Sequence, residues 1–224
     1  EALTVTGYSK GATSLPDDLY YTPNHMWNLV RINGKWELVD VTYAVGYITQ
    51  APTLKDRIIK IISSKPLYKS KTVFKKDRND QYYLSKPRNF VKDHLPSDPM
   101  FQLLSNPVPV EVFERDEETI VRYLDSTKGE MPYESRINTF KDKDRDIQML
   151  WEGDSALAFN CRNYLQQCLA LYNVGVISLM ETEKQGRYYD PDQLRTASRC
   201  FDSSRVVTGF AKDMVKEEND FDKE

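Results

Sequence analysis

The stretch His25-Met-Trp-Asn-Leu-Val-Arg-Ile-Asn-Gly-Lys-Trp-Glu-Leu-Val-Asp40-Val-Thr decides how this chain is read. Two runs rich in β-branched and aromatic residues flank Asn33-Gly34, a dipeptide that favours a two-residue hairpin turn because both turn positions need a positive φ. With Ile32 and Lys35 flanking the turn, Leu29 faces Leu38, Arg31 faces Trp36, Trp27 faces Asp40 and His25 faces Thr42. Side chains alternate between faces along a strand, so His25, Trp27, Asp40 and Thr42 share one face. His25 and Asp40 then become diagonal neighbours, roughly 5–7 Å apart at Cβ. That spacing suits an imidazole–carboxylate hydrogen bond, the orienting half of a nucleophile–His–Asp triad. The same two residues on adjacent strands also make an ordinary solvated pair, and local geometry alone does not separate the two readings.

The wording around the pair is more specific. His-x-Trp-Asn-x-Val-x-Ile-x-Gly-x-Trp-x-Leu-x-Asp-x-Thr, running on to Gly46-Tyr47, resembles the His and Asp strands of the transglutaminase-like superfamily. Val5-Thr6-Gly7-Tyr8-Ser9-Lys10-Gly11 resembles the strand before that hairpin, so the likeness covers residues 2–48. The resemblance implies an antiparallel sheet of the papain-like kind, His25 as base, Asp40 as its orienter, and a cysteine nucleophile at a helix N-terminus upstream of the Val5 strand. By that implication Trp27 and Thr42 line the site and the nucleophile falls outside this chain. The substrate would be a protein or peptide, attacked at a carboxamide or peptide carbonyl, and no cofactor is required. The resemblance also implies a bacterial, extracytoplasmic protein, secreted, periplasmic or lipid-anchored. The rival reading is a non-catalytic binding or structural module that keeps the same sheet.

The three cysteines, Cys161, Cys168 and Cys200, come late in the chain. A nucleophilic thiol needs a lowered pKa, usually from a helix N-terminus or a cationic neighbour. Cys161 and Cys168 are seven apart in a strongly helical run, which puts them on one face and favours core packing. No Cys-x-x-Cys or Cys/His cluster with zinc spacing is present, so no metal site is expected.

Composition bounds the rest. The 224 residues, 40% hydrophobic with 14 Tyr and 9 Gly, describe an ordinary globular chain with room for a real core. A net charge of −3 gives no general argument for nucleic acid, and no apolar run reaches the roughly 18 residues of a membrane span. From Lys55 to Arg78 nine Lys/Arg face Asp56 and Asp77, a local excess of +7. Without stacking aromatics this reads better as a solvated edge than as a polyanion site. Thr53–Ile62 is open between a short helix and an edge strand.

Asp93-His94-Leu-Pro96-Ser-Asp98-Pro99-Met-Phe-Gln-Leu-Leu-Ser-Asn-Pro107-Val-Pro109 cannot form a long helix, because four prolines punctuate it. It resembles a segment that follows the transglutaminase-like core in a bacterial subgroup. His94 reads here as a structural loop residue, with Asp93 and Asp98 as turn and cap residues. Helical spacing then covers Glu114–Leu124, Ile137–Leu150 and Asp154–Met180, with Asp154-Ser155 as an N-cap. In the last of these Leu157, Cys161, Tyr164, Leu165, Cys168, Leu171 and Tyr172 form one apolar stripe, with both cysteines buried. Asp190-Pro191 opens a final helix, and Glu217–Glu224 frays. The chain is therefore read as α+β: a C-terminal part of a transglutaminase-like core over 1–112, then a helical module over 113–224.

Overall fold

Asn33 and Gly34 take φ values of 51° and 81°, the positive pair that a tight two-residue hairpin turn requires. Nothing lies within 4 Å of a Cβ built on Gly34, so backbone conformation alone selects glycine there. The structure is a computed structural model that describes residues 1–10, 22–52, 70–126, 129, 131–184 and 191–221. The turn joins β2 (His25–Ile32) to β3 (Lys35–Val39), with the register read from the sequence: Ile32 pairs with Lys35, Arg31 with Trp36, Leu29 with Leu38 and Asn28 with Val39. The fold is α+β, as strand patterns followed by helical ones implied.

The chain divides into two compact units, Glu1–Leu3 with Trp27–Phe90, and Thr4–Met26 with Val91–Glu224. In the first, β3 pairs with β2 on one side and with β6 (Tyr83–Ser85) on the other. The N–H of Arg31 donates to the carbonyl of Glu1, which ties the chain start to β2. After Val39 the chain leaves the strand for a short helix, α1 (Val41–Val45), so Thr42 takes a helical position rather than the strand position expected for it. A separate two-stranded ribbon joins β4 (Gly46–Pro52) and β5 (Ser70–Lys76). Trp27, Leu29, Trp36, Leu38 and Val39 are buried, and Trp27 packs edge-on against Phe90 of α2 (Pro87–Phe90) with ring centroids 5.6 Å apart. Thr53–Ile62 and most of the basic stretch before Ser70 lie outside the described residues.

In the second unit, β1 (Ala2–Ser9) pairs antiparallel with β7 (His94–Pro96), and Ser9 faces His94. The core gathers Tyr8, Val91, Leu95, Val108, Val110, Phe113, Ile120 and Leu124, drawn from both sides of position 112. Among the described residues five main helices follow: α4 (Glu117–Ser126), α5 (Tyr133–Lys141), α6 (Arg145–Phe159), α7 (Tyr164–Lys184) and α8 (Pro191–Phe221), after a single turn at Val110–Phe113, α3. None is long and apolar enough to cross a membrane.

Three helical expectations are corrected. The helix read from Glu114 starts at Glu117, because the Asp116 carboxylate accepts from the Thr119 N–H and caps it there. Ile137–Leu150 splits around Asp142, Lys143 and Asp144. Asp154–Met180 is two helices, and Asp154-Ser155 sits inside α6 rather than capping α7. The break falls at Asn160–Asn163, where short amide side chains compete with helix bonding. Asn160 accepts from the N–H of Arg162 and donates to the Tyr8 hydroxyl, and Asn163 accepts from the N–H of Gln166. Cys161 therefore lies in the break and is exposed, and the single stripe with two buried cysteines is not formed. At the other end α8 continues to Phe221, through most of the acidic tail expected to fray.

The proline-rich segment is held by Gln102, which is buried and whose amide accepts from the Val108 N–H at 2.7 Å and donates to the Val108 carbonyl at 3.0 Å. Gln102→Leu keeps the volume but strands both backbone groups of a buried residue. It should lower stability by about 1–3 kcal/mol for each group left unsatisfied, read as a shift in the urea midpoint at unchanged m-value.

Candidate functional site

His25 opens β2, and the residue before it fixes where that strand begins. Asn24 accepts the Ser9 N–H on its side-chain oxygen at 2.7 Å and donates from its side-chain nitrogen to the Ser9 carbonyl at 3.1 Å. Its own N–H donates to the Gly7 carbonyl. The amide side chain thus imitates a strand residue against β1. On the other side of Ser9 lies His94, its partner across the β1–β7 ladder. Both histidines consequently flank the end of one strand, and their ring centroids are 5.7 Å apart at 58°.

His94 is fully buried, and its Nδ1 lies 2.6 Å from the Asp93 carboxylate. This corrects the reading of His94 as a structural loop residue: it sits on a strand beside another histidine, and its acid partner is its own sequence neighbour. Because a carboxylate only accepts, Nδ1 carries the proton and Nε2 carries the lone pair in the neutral ring. Asp93 is fixed in turn, since its carbonyl accepts from the Lys10 N–H.

Asp40 belongs to the first unit and is 1% exposed. Its carboxylate accepts from the N–H of Tyr43 at 3.1 Å as the N-cap of α1, and its own N–H donates to the Tyr82 carbonyl at 2.9 Å. A buried carboxylate held this firmly keeps one orientation. Trp27 is 2% exposed against Phe90, while Thr42 is exposed on α1. Asn24 and Asp93 went unnoticed as supports in the sequence. Asn24 directly precedes His25 and Asp93 directly precedes His94, and that adjacency was the available signal.

A second carboxylate cluster lies in the helical part. Asp98, buried, caps the turn at Pro99–Gln102 by accepting from the Met100 N–H, as expected for it, and accepts from the Trp151 indole at 3.1 Å. Burial pushes the Glu152 carboxyl up to about 7, and the negative Asp98 adds to the rise while Arg145 opposes it.

Cys161 is exposed in the break before α7, while the other two cysteines are engaged or buried. Cys168 Sγ lies 3.0 Å from the Ser204 hydroxyl and 3.1 Å from that of Thr208. Burial, with the negative Asp146 nearby, pushes the Cys200 thiol up, the opposite of what a nucleophile needs.

The chain is 31% identical to the kyphoscoliosis peptidase of Homo sapiens over 117 residues, which is 52% of this chain and 15% of that protein. The kyphoscoliosis peptidase of Mus musculus is 30% identical over 115 residues, 51% of this chain and 14% of its own length. Cytokinesis protein 3 of Schizosaccharomyces pombe is 31% identical over 104 residues, 45% of this chain and 9% of that protein. No protein-family model matches, and no solved structure matches. These relatives are animal and fungal, where the wording of the motifs had suggested a bacterial subgroup.

Glu152 gives a signed pH dependence. Its folded pKa is raised above the ordinary carboxyl value, so its contribution to stability is complete below about 4.5 and is lost as pH rises through about 7. Urea unfolding at pH 5 and pH 8 should show Glu152→Gln gaining on the parent chain at the higher pH, by on the order of 2 kcal/mol. An equal response of the two chains to pH would contradict the burial assigned to this carboxyl.

Proposed function

We propose that this chain carries the His–Asp part of a transglutaminase-like cysteine amidase, peptidase or acyltransferase acting on a protein or peptide. His25 is the base and Asp40 its orienter. The observation that carries the reading is the hairpin register: Asn28 is paired with Val39, and His25 and Asp40 follow from that pair by three residues along one strand and one residue beyond the other. The partial likeness to proteins named as peptidases supports the same class.

In the proposed reaction a cysteine outside this chain gives its proton to His25 and attacks the carbonyl carbon. His25 then returns the proton to the leaving amine, which departs as the acyl–sulfur bond forms. Water or an amine attacks that thioester, His25 taking its proton and returning it to the departing thiolate. Asp40 holds the imidazole tautomer and stabilises the imidazolium. Trp27 and Thr42 complete the proposed surroundings of the pair, with Trp27 keeping water from one side. The division into a core over 1–112 and a helical module over 113–224 is part of the same proposal.

A second reading, a non-catalytic module with the same sheet, is favoured by the cysteines. Cys168 is engaged with two hydroxyls and the Cys200 thiol is harder to ionise than usual.

The two readings separate on the intact protein. With a peptide-amide substrate and an acceptor amine, His25→Ala should abolish alkylation-sensitive turnover and Asp40→Asn should lower it by about 10⁴. The 224-residue chain by itself should be inactive, since removing such a nucleophile costs on the order of 10⁶. Intact protein that shows no alkylation-sensitive turnover decides for the binding module. Activity of this chain abolished by Cys161→Ser would overturn the assignment of the nucleophile.

A further inference from the structure

We propose that His25 and His94 together bind one divalent transition-metal ion of the imidazole-preferring class, zinc being the type case. Each histidine offers a ring nitrogen, and these nitrogens lie within 4.8 Å of one another. Two imidazoles on a tetrahedral zinc, at about 2.0–2.1 Å per bond, hold their nitrogens about 3.4 Å apart and their ring centroids about 5 Å apart. The observed centroid separation is 5.7 Å, so small side-chain rotations close the difference.

The protonation pattern suits a metal. Asp93 lies 2.6 Å from Nδ1 of His94, which fixes the proton there and directs the Nε2 lone pair as the ligand. A carboxylate behind the far nitrogen of a ligating histidine sets the ring orientation and raises its basicity. Here that carboxylate is a sequence neighbour and its backbone is tied to Lys10, so the second layer is already formed.

The scaffold is equally fixed. Asn24 grips both backbone groups of Ser9 immediately before His25, and His94 pairs with Ser9 from the other side. Both ligands therefore hang from one strand end, so little ordering is needed on binding. His94 is fully buried while His25 is half-buried, which leaves the ion an approach from the His25 side. The two imidazoles supply two positions of a tetrahedral ion and water the others, and the carboxylate behind His94 adds to the affinity. An ion held this way occupies a nitrogen of His25, so on the proposed hydrolase it acts as a reversible brake. The binding itself does not depend on that reading.

Calorimetric titration of the 224-residue chain with zinc chloride tests it, with the rise in Tm on adding zinc as a second readout. One-to-one binding that saturates well below about 1 mM is expected, and both His25→Ala and His94→Gln should abolish it. Asp93→Asn keeps both ligand nitrogens and should weaken binding 10–100-fold, and Cys161→Ser should leave it unchanged. If His94→Gln fails to fold, judged by its Tm in chelator, His25→Ala and Asp93→Asn carry the test. The proposal is overturned by titration that does not saturate, by saturable binding that survives His25→Ala, by an Asp93→Asn affinity equal to that of the parent, or by loss with Cys161→Ser. None of these outcomes depends on a nucleophile, so they leave the hydrolase reading to its own experiment.

Discussion

The constraint on which the first unit depends is the pair of positive φ values at Asn33 and Gly34. A two-residue turn admits one register, and a slip of one residue would move every side chain of the hairpin to the other face. With Leu29 opposite Leu38 and Trp36 opposite Arg31, the buried Trp27, Leu29, Trp36 and Leu38 fall on one side, and the Arg31 guanidinium lies over the Trp36 ring at 5.8 Å. The position of Asp40 follows from that register. It is the first residue past the ladder, where a strand ends and a carboxylate is well placed to cap a helix.

Ser9 plays the corresponding part in the second unit. Its backbone N–H and carbonyl bond to the Asn24 amide, and it faces His94 across the β1–β7 ladder. Both histidines are positioned through the backbone. Each arrives because its backbone is pinned beside the same residue, and the carboxylate of Asp93 then sets the ring of His94. Such a division of labour explains how a buried imidazole keeps a defined orientation: the backbone supplies position and a neighbouring acid supplies the tautomer.

What was legible in the sequence was local. The turn chemistry of Asn33-Gly34, the cap at Asp98 and the proline at the start of α8 each depend on residues within a few positions, and each appears where the pattern put it. The strand register was legible for the same reason, up to the residue where α1 begins. The missed features are set by distant partners. Nothing in the spacing of 154–180 reveals that Asn160 will reach the Tyr8 hydroxyl, 152 positions earlier, and stop a helix that apolar periodicity would have continued. The meeting of His25 and His94 likewise needs the β1–β7 pairing, which joins segments some 85 residues apart. Asp93 is the exception, a local partner whose role depends on His94 lying on a strand rather than in a loop.

The helices show how Cys168 is a matter of packing. A Cβ on Gly153 would come within 2.9 Å of the Ala170 methyl, and one on Gly175 within 2.8 Å of the Phe201 ring, so α6 meets α7, and α7 meets α8, at glycines. Where helices approach that closely, a side chain between them must be small and satisfied. Cys168 meets both conditions: its sulfur lies against the Ser204 and Thr208 hydroxyls, and the Ser204 hydroxyl also donates to the Cys168 carbonyl. Cys168 stands one turn inside α7 on a face committed to α8. The two histidines differ from it in that backbone pairing at a strand end, not helix packing, fixes their position.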